Sequence, residues 1–312
     1  MGVLVAEVSR LYEAYAAGAP SPLAELKIQY ADYAAWQRGW LQGENLEGQL
    51  SYWRDNLAGA PPLLKLPTDR PRPAIQTYRG AVESFMLAAD VSNQLKAIGR
   101  RQNATLFMTL LAVFTVLLQR YTRQDDIVVA TNVAKRNMPE IESLIGFFVD
   151  NLVLRADLSG NPTFVDLLAR VQRICLDALA HQNIPFDKIV EDLKPERNLS
   201  YNPIFQVLFV LQNNPAPRLN LPNLSVSRTE YEGNAVQFDM AMDIFETDPG
   251  LLFKLRYNTD LFDGSTATRF MRHFRKLLES VAQDPGEPIA EVNMGEAEEE
   301  QDLIAVFNDS LD

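Results

Sequence analysis

Histidine is almost missing from this chain: His181 and His273 are the two in 312 residues. Two isolated imidazoles make no metal-binding cluster. Neither stands beside Ser200 or Ser265 in a way that reads as a hydrolase triad. Cysteine is scarcer still. Cys175 stands alone, which excludes an internal disulfide framework and fits a reducing, cytoplasmic setting. It falls on an apolar helical stripe with Phe164, Leu168, Val171 and Ala178, so we expect a buried, unreactive thiol. Long hydrophobic runs are also lacking. The most apolar stretch, 106–118, has 13 residues against the roughly 20 that a bilayer needs, and reads as a buried helix. The start has no basic region, and Glu7 and Arg10 interrupt its apolar residues, so it does not read as a signal peptide. No glycine-rich phosphate loop and no internal repeat is present. Positive charge is in deficit: the net charge is −12, which argues against nucleic acid and anionic membrane as partners. A local basic patch for an acidic protein partner remains compatible with that total.

What is present is 47% hydrophobic residues, enough for a sizeable core. Helical spacing marks 3–17, where Val3, Val8, Leu11, Tyr12 and Tyr15 share one face and Gly18 and Pro20 stop the helix. It returns at 30–36, and at 46–57 with Leu50, Trp53 and Leu57. Five prolines between residues 61 and 73 exclude regular structure in 59–80, which reads as an extended linker between two lobes. Strands are expected at 81–87, 127–131, 151–156, 203–211 and 251–258. The last alternates cleanly, Phe253, Leu255 and Tyr257 against Lys254, Arg256 and Asn258, which favours an antiparallel, half-exposed strand. Asp90 is the expected cap of a helix reaching Arg101, and Asn103 of the next, 105–121. Helices at 164–180 and 267–281 complete the pattern. Strands interspersed with long helices imply a mixed α/β sheet with helices packed on it. Residues 295–302, GEAEEEQD, form an acidic run that reads as a solvated tail.

Six blocks stand in order. Tyr30-Ala-Asp-Tyr-Ala-Ala-Trp36 resembles YxDYAxW. Leu66-Pro-Thr-Asp-Arg-Pro-Arg-Pro73 with Tyr78-Arg-Gly80 resembles an inter-lobe stretch. Ile145-Gly-Phe-Phe-Val149 with Asn151-Leu-Val-Leu-Arg155 resembles IGxFVNTLxLR. His181-Gln182 with Pro185-Phe186 resembles HQxxPF. Arg197, Asn202-Pro203 and Phe205-Gln206 resemble RxxxxNPxFQ, and Tyr257-Asn-Thr-Asp-Leu-Phe-Asp263 is a further family piece. Together they resemble the condensation domains of nonribosomal peptide synthetases. Met1–Tyr15 looks like the helix that follows that family's HHxxxDG motif, and the motif itself occurs nowhere in these 312 residues.

The resemblance implies an α/β, chloramphenicol acetyltransferase-like fold: a two-layer mixed sheet with helices. It further implies a helical remainder of the N-terminal lobe (1–58), an inter-lobe linker (59–80), a complete C-terminal lobe (81–294) and an acidic linker toward an adenylation domain (295–312). We therefore expect a condensation domain truncated before its catalytic histidine, with its first helices left without the sheet they should cover. The implied parent reaction joins a carrier-bound acyl or peptidyl thioester to a carrier-bound amine. Alternatives on the same fold are epimerisation, heterocyclisation, or a non-catalytic carrier-docking platform. The implied partners are carrier-protein domains, an adjacent adenylation domain and the missing N-terminal lobe. Phosphopantetheine arrives on the carriers and no cofactor or metal is expected to bind directly. Gly146, Phe147, Asp150, Arg197 and Asn202 are the implied substrate-tunnel or motif residues. Asn202 is the one candidate for a catalytic role, since a nearby amide donates to a developing oxyanion. His181, Gln182, Pro185 and Phe186 are expected to be structural. Asp150 departs from the family's usual Asn, and Asn151 from its Thr; the first places a charge near the tunnel floor.

Overall fold

Alternation of apolar residues at every second position lets a strand bury one face against helices, and this pattern builds the molecule. In the computed structural model, residues 2–136, 138–196, 198–212, 219, 221–227 and 235–295 are described. Three helices come first: α1 (Gly2–Ala16), α2 (Tyr30–Trp40) and α3 (Gly43–Leu57). Then follow β1 (Gly80–Leu87), α4 (Ala89–Arg101), α5 (Leu106–Thr122), β2 (Asp126–Ala134) and the single turn α6 (Pro139–Glu142). The rest is β3 (Val149–Asp157), α7 (Phe164–Ala180), α8 (Phe186–Leu193), β4 (Val207–Gln212), β5 (Met240–Glu246), β6 (Leu251–Asn258) and α9 (Gly264–Gln283).

The strands form one mixed sheet in the order β1-β6-β5-β4-β2-β3. β4 pairs in parallel with β2 and β5, and the other pairings are antiparallel, including both neighbours of β6 as its alternation implied. One face is covered by α4, α5, α7 and α9. Its seam is aromatic: Phe114 of α5 stacks on Phe209 of β4 at 4.9 Å, and Phe274 of α9 meets Phe253 of β6 edge-on at 5.4 Å. Such pairs favour offset or edge-to-face geometry because a ring's face is negative and its rim positive.

Two expected caps are corrected. Asp90 lies inside the first turn of α4, whose cap position is Ala88. Asn103 takes a left-handed backbone (φ 54) that ends the α4 turn, and Thr105 caps α5 instead, its Oγ1 accepting from Met108 N at 3.3 Å. The expected strand 203–211 begins only at Val207, because Pro203 has no donor and Ile204 adopts φ 72. β5 has no counterpart among the expected strands.

Elements on the other face position the site. Arg155 of β3 pairs with Asp126 through two bonds of 2.9 and 2.8 Å. It also donates to the carbonyls of Asn56 and Ala58, closing the end of α3 against the sheet. Trp53 (1% exposed) donates from Nε1 to the His181 carbonyl at 3.1 Å, and Arg54 forks onto Asp192 of α8 with two 2.7 Å bonds. The proline-rich stretch before β1 is irregular, as its prolines require, and is fastened to this body along its length. Leu64 and Leu66 enter the core. Leu64 N donates to Gln206 Oε1 at 2.9 Å, Asp69 N to Leu261 O at 2.9 Å, and Gln76 N to Leu199 O at 2.7 Å. Arg72 forms an ion pair with the buried Asp239.

Candidate functional site

Gly146 and the two phenylalanines after it are placed by α2. The Tyr30 ring lies where a Gly146 side chain would go, so any larger residue there would have to displace that ring. Tyr30 Oη donates to the Phe147 carbonyl at 2.9 Å. Phe148 is swallowed by a small cluster with Tyr33, Ile141 and Leu144, and the Arg136 guanidinium lies over its ring at 4.1 Å. Burying Phe148 turns Phe147 outward, 81% exposed, onto the rim of a cavity of about 540 Å³. Tyr30 and Tyr33 of the 30–36 block therefore pack on Phe148, while Trp36 stacks on Trp40 and stays 48% exposed; Asp32 accepts from the Gln29 amide at the start of its own helix.

Across the cavity stands the corner between α7 and α8. His181 closes α7: its Nδ1 bonds the Asp177 carbonyl at 2.8 Å, and its ring stacks on Tyr52 at 3.9 Å, 5° from parallel. Burial pushes the Tyr52 hydroxyl up to about 12, so that ring is neutral. Pro185 precedes the first turn of α8, and Phe186 packs edge-on against Phe205 at 5.3 Å. Gln182 lies with Cys175 in a separate cavity of about 450 Å³, and burial pushes the Cys175 thiol up to about 12.

Asp150 joins these two walls. Its carboxylate accepts from Lys135 Nζ at 2.6 Å, from Asn151 N at 2.8 Å and from Phe186 N at 3.2 Å. Lys135 also donates to the Ile184 carbonyl at 2.8 Å. The negative charge expected on the floor is therefore met by a buried cation. Burial holds the Lys135 ammonium below its ordinary value, with the bond to Asp150 pulling the other way. Lys135 had no signal in the sequence beyond being a loop lysine.

Asn202 lines a second, adjoining cavity of about 520 Å³, which shares Asn151, Phe186, Asp187 and Phe238 with the first. Its Nδ2 donates to the Gln237 carbonyl at 2.6 Å, and its own carbonyl accepts from Gln206. Arg197 lies outside the described residues. Asp187 borders both cavities, and sequence reasoning did not single it out. Neither histidine lines either cavity; His273 bonds Tyr121 Oη at 2.9 Å on the far side of the helical layer. Among the described residues no His, Cys, Asp and Glu cluster is arranged for a metal. The arrangement offers aromatic walls and amide donors: it can enclose and orient a substrate, while a proton-transfer imidazole would have to come from elsewhere.

A family model described as "Condensation domain" matches residues 1–304. A linear gramicidin synthase of Brevibacillus parabrevis is 50% identical over 310 residues, covering 99% of this chain and 6% of that protein. Malpinin synthetase of Mortierella alpina is 44% identical over 308 residues, covering 99% of this chain and 4% of that protein. The chain thus spans a small fraction of the curated relatives it matches. Among solved structures, the X-domain from teicoplanin biosynthesis is similar at TM-score 0.87 and 33% identity, over 95% of this chain and 68% of that one. A holo four-domain nonribosomal peptide synthetase bound to AMP and glycine is similar at TM-score 0.78 and 25% identity, over 82% of this chain and 21% of that one.

Proposed function

Because the chain belongs to the condensation-domain family of nonribosomal peptide synthetases, with its chloramphenicol acetyltransferase-like fold, we propose that it supplies one wall and the floor of a cleft for amide-bond formation. The observation that carries this reading is convergence. The 145–151, 185–187 and 202–206 blocks, distant in sequence, meet around two adjoining cavities.

In the proposed reaction an acyl thioester and an amine arrive on phosphopantetheine arms of two carrier domains. The amine nitrogen attacks the thioester carbonyl carbon, the C–N bond forms, and the C–S bond breaks. The proton lost from nitrogen ends on the departing thiol. Holding two tethered reactants together supplies much of the acceleration. Phe147, Phe186 and Phe238 exclude water from the acyl group. Asn202 gives one amide hydrogen to Gln237; we assign the other to the developing oxyanion. The division into 1–58, 59–80, 81–294 and 295–312, the adjacent adenylation domain and a cytoplasmic setting belong to this same reading. No single described helix is long and apolar enough to cross a membrane.

The family's HHxxxDG is not in these residues, so the chain by itself should not turn over. The test loads two carriers with acyl and aminoacyl groups, adds the chain, and measures dipeptidyl product by mass spectrometry. No product is expected above a no-protein control. Fusion behind a segment bearing HHxxxDG should restore it, and Asn202→Ala in that fusion should cost about 10²–10³-fold in rate. Product from the chain alone, or a fusion that binds carriers without turnover, defeats the reading.

A further inference from the structure

Lys135 follows the last residue of β2, and its backbone N–H donates to the Phe148 carbonyl at 2.9 Å. Its side chain is 8% exposed although it carries an ammonium. A lysine so placed ordinarily threads its head to water. This one turns inward and spends two donors on the Asp150 carboxylate and the Ile184 carbonyl, at 2.6 and 2.8 Å. Asp150 in turn holds the Phe186 amide. Three chain segments therefore meet at one ion pair: the end of β2, the start of β3, and the corner between α7 and α8. The last two carry Phe147, Asn151 and Phe186, which line the same cavity from opposite sides.

Resting on the condensation reading, we propose that Lys135 and Asp150 are one neutral clamp that sets the distance between β3 and the Phe186 corner, which makes Lys135 a positioning residue for the acyl group the cleft admits. Asp150 faces the cavity, and its carboxylate is committed to Lys135 and to the Asn151 and Phe186 amides. Removing the cation alone strands a carboxylate in a half-buried site, and removing the carboxylate alone strands an ammonium in a deeper one; neutralising both strands no charge and costs only the Ile184 carbonyl its donor. The corner should therefore loosen in either single variant and tighten again in the double variant.

The experiment compares the chain with Lys135→Met, Asp150→Asn and the double variant. One measurement is amide exchange at residues 184–187. The other is the affinity for acyl-S-pantetheine probes of increasing acyl size. Lys135→Met should speed exchange of the Phe186 amide by about tenfold while the strands keep their protection. It should also change the ratio of affinities for large and small acyl groups, which loss of stability alone leaves unchanged. The double variant should return to within about threefold of the parent, as expected of groups coupled to each other. Phe186 exchange unchanged in Lys135→Met, or a double variant no better than that single one, overturns the proposal. Should Lys135→Met fail to fold, Asp150→Asn carries the same comparison, since it keeps an oxygen acceptor for Phe186. If no probe binds even the parent chain, the condensation reading fails, and the exchange measurement still decides the clamp.

Discussion

α1 and α3 are each 15 residues long and each carries an apolar stripe, yet α1 buries no side chain and α3 buries Leu50, Trp53 and Leu57. Leu4, Val8 and Tyr15 of α1 stay exposed. The stripes do not explain this, because both sequences have one. What differs is who arrives. α3 receives the His181 carbonyl, the Asp192 carboxylate and the Arg155 guanidinium, all from more than 90 residues downstream. α1 receives none of these. An apolar face states that a helix wants a partner; the polar latches at its rim decide which partner holds it.

The comparison can be broken from the α3 side first. Trp53→Ala should cost about 3–5 kcal/mol, since it opens a cavity and leaves the His181 carbonyl without its donor. Equilibrium denaturation checks this, and a loss below about 1 kcal/mol means α3 is held by something else. Arg155→Ala should cost about 2 kcal/mol by leaving Asp126 and the end of α3 unpaired, with faster amide exchange confined to residues 54–58.

A smaller effect should follow pH. The Arg54 fork holds the Asp192 carboxyl below its ordinary 3.8. A depressed folded value means the stabilisation is present above 3.8 and lost as pH falls through and below it. The difference in urea midpoint between the parent and Arg54→Ala should be visible near about pH 6 and shrink as pH falls below 3.8. A gap that persists in acid separates α3 docking from this pair. Smallest of all, Val8→Asp in α1 should change the stability of the chain negligibly, within about 0.5 kcal/mol by thermal melting. A larger loss would show that α1 is packed as α3 is.

Much of this architecture was legible beforehand. β1, β2, β3 and β6, and helices α5, α7 and α9, lie within a few residues of the expected positions, because period 2 and period 3.6 are written by burial on one face. β5 was missed because Met-Ala-Met-Asp-Ile-Phe-Glu is buried along most of its length and shows no alternation. The caps went wrong because Asn103 satisfied a left-handed turn before it could serve α5. At the site, the structure shows where these residues sit: His181 closes α7 and stacks on Tyr52, Pro185 precedes α8, Phe186 lines both cavities, and Gly146 lies under the Tyr30 ring. Lys135 was illegible: a lone lysine after a strand reads as solvent-facing, and only the register of β2 against β3, Val133 opposite Asp150, brings it to its carboxylate.

Gln206 gives the fold an order in time. Its side-chain oxygen is the acceptor for the Leu64 amide, 142 residues earlier in the chain. During synthesis that amide emerges from the ribosome long before its acceptor exists. The Leu64 latch therefore closes late, after β1, β2 and β3 have been made, whereas the bond from the Lys65 amide to Gln124 Oε1 needs only the end of α5 and can form before it.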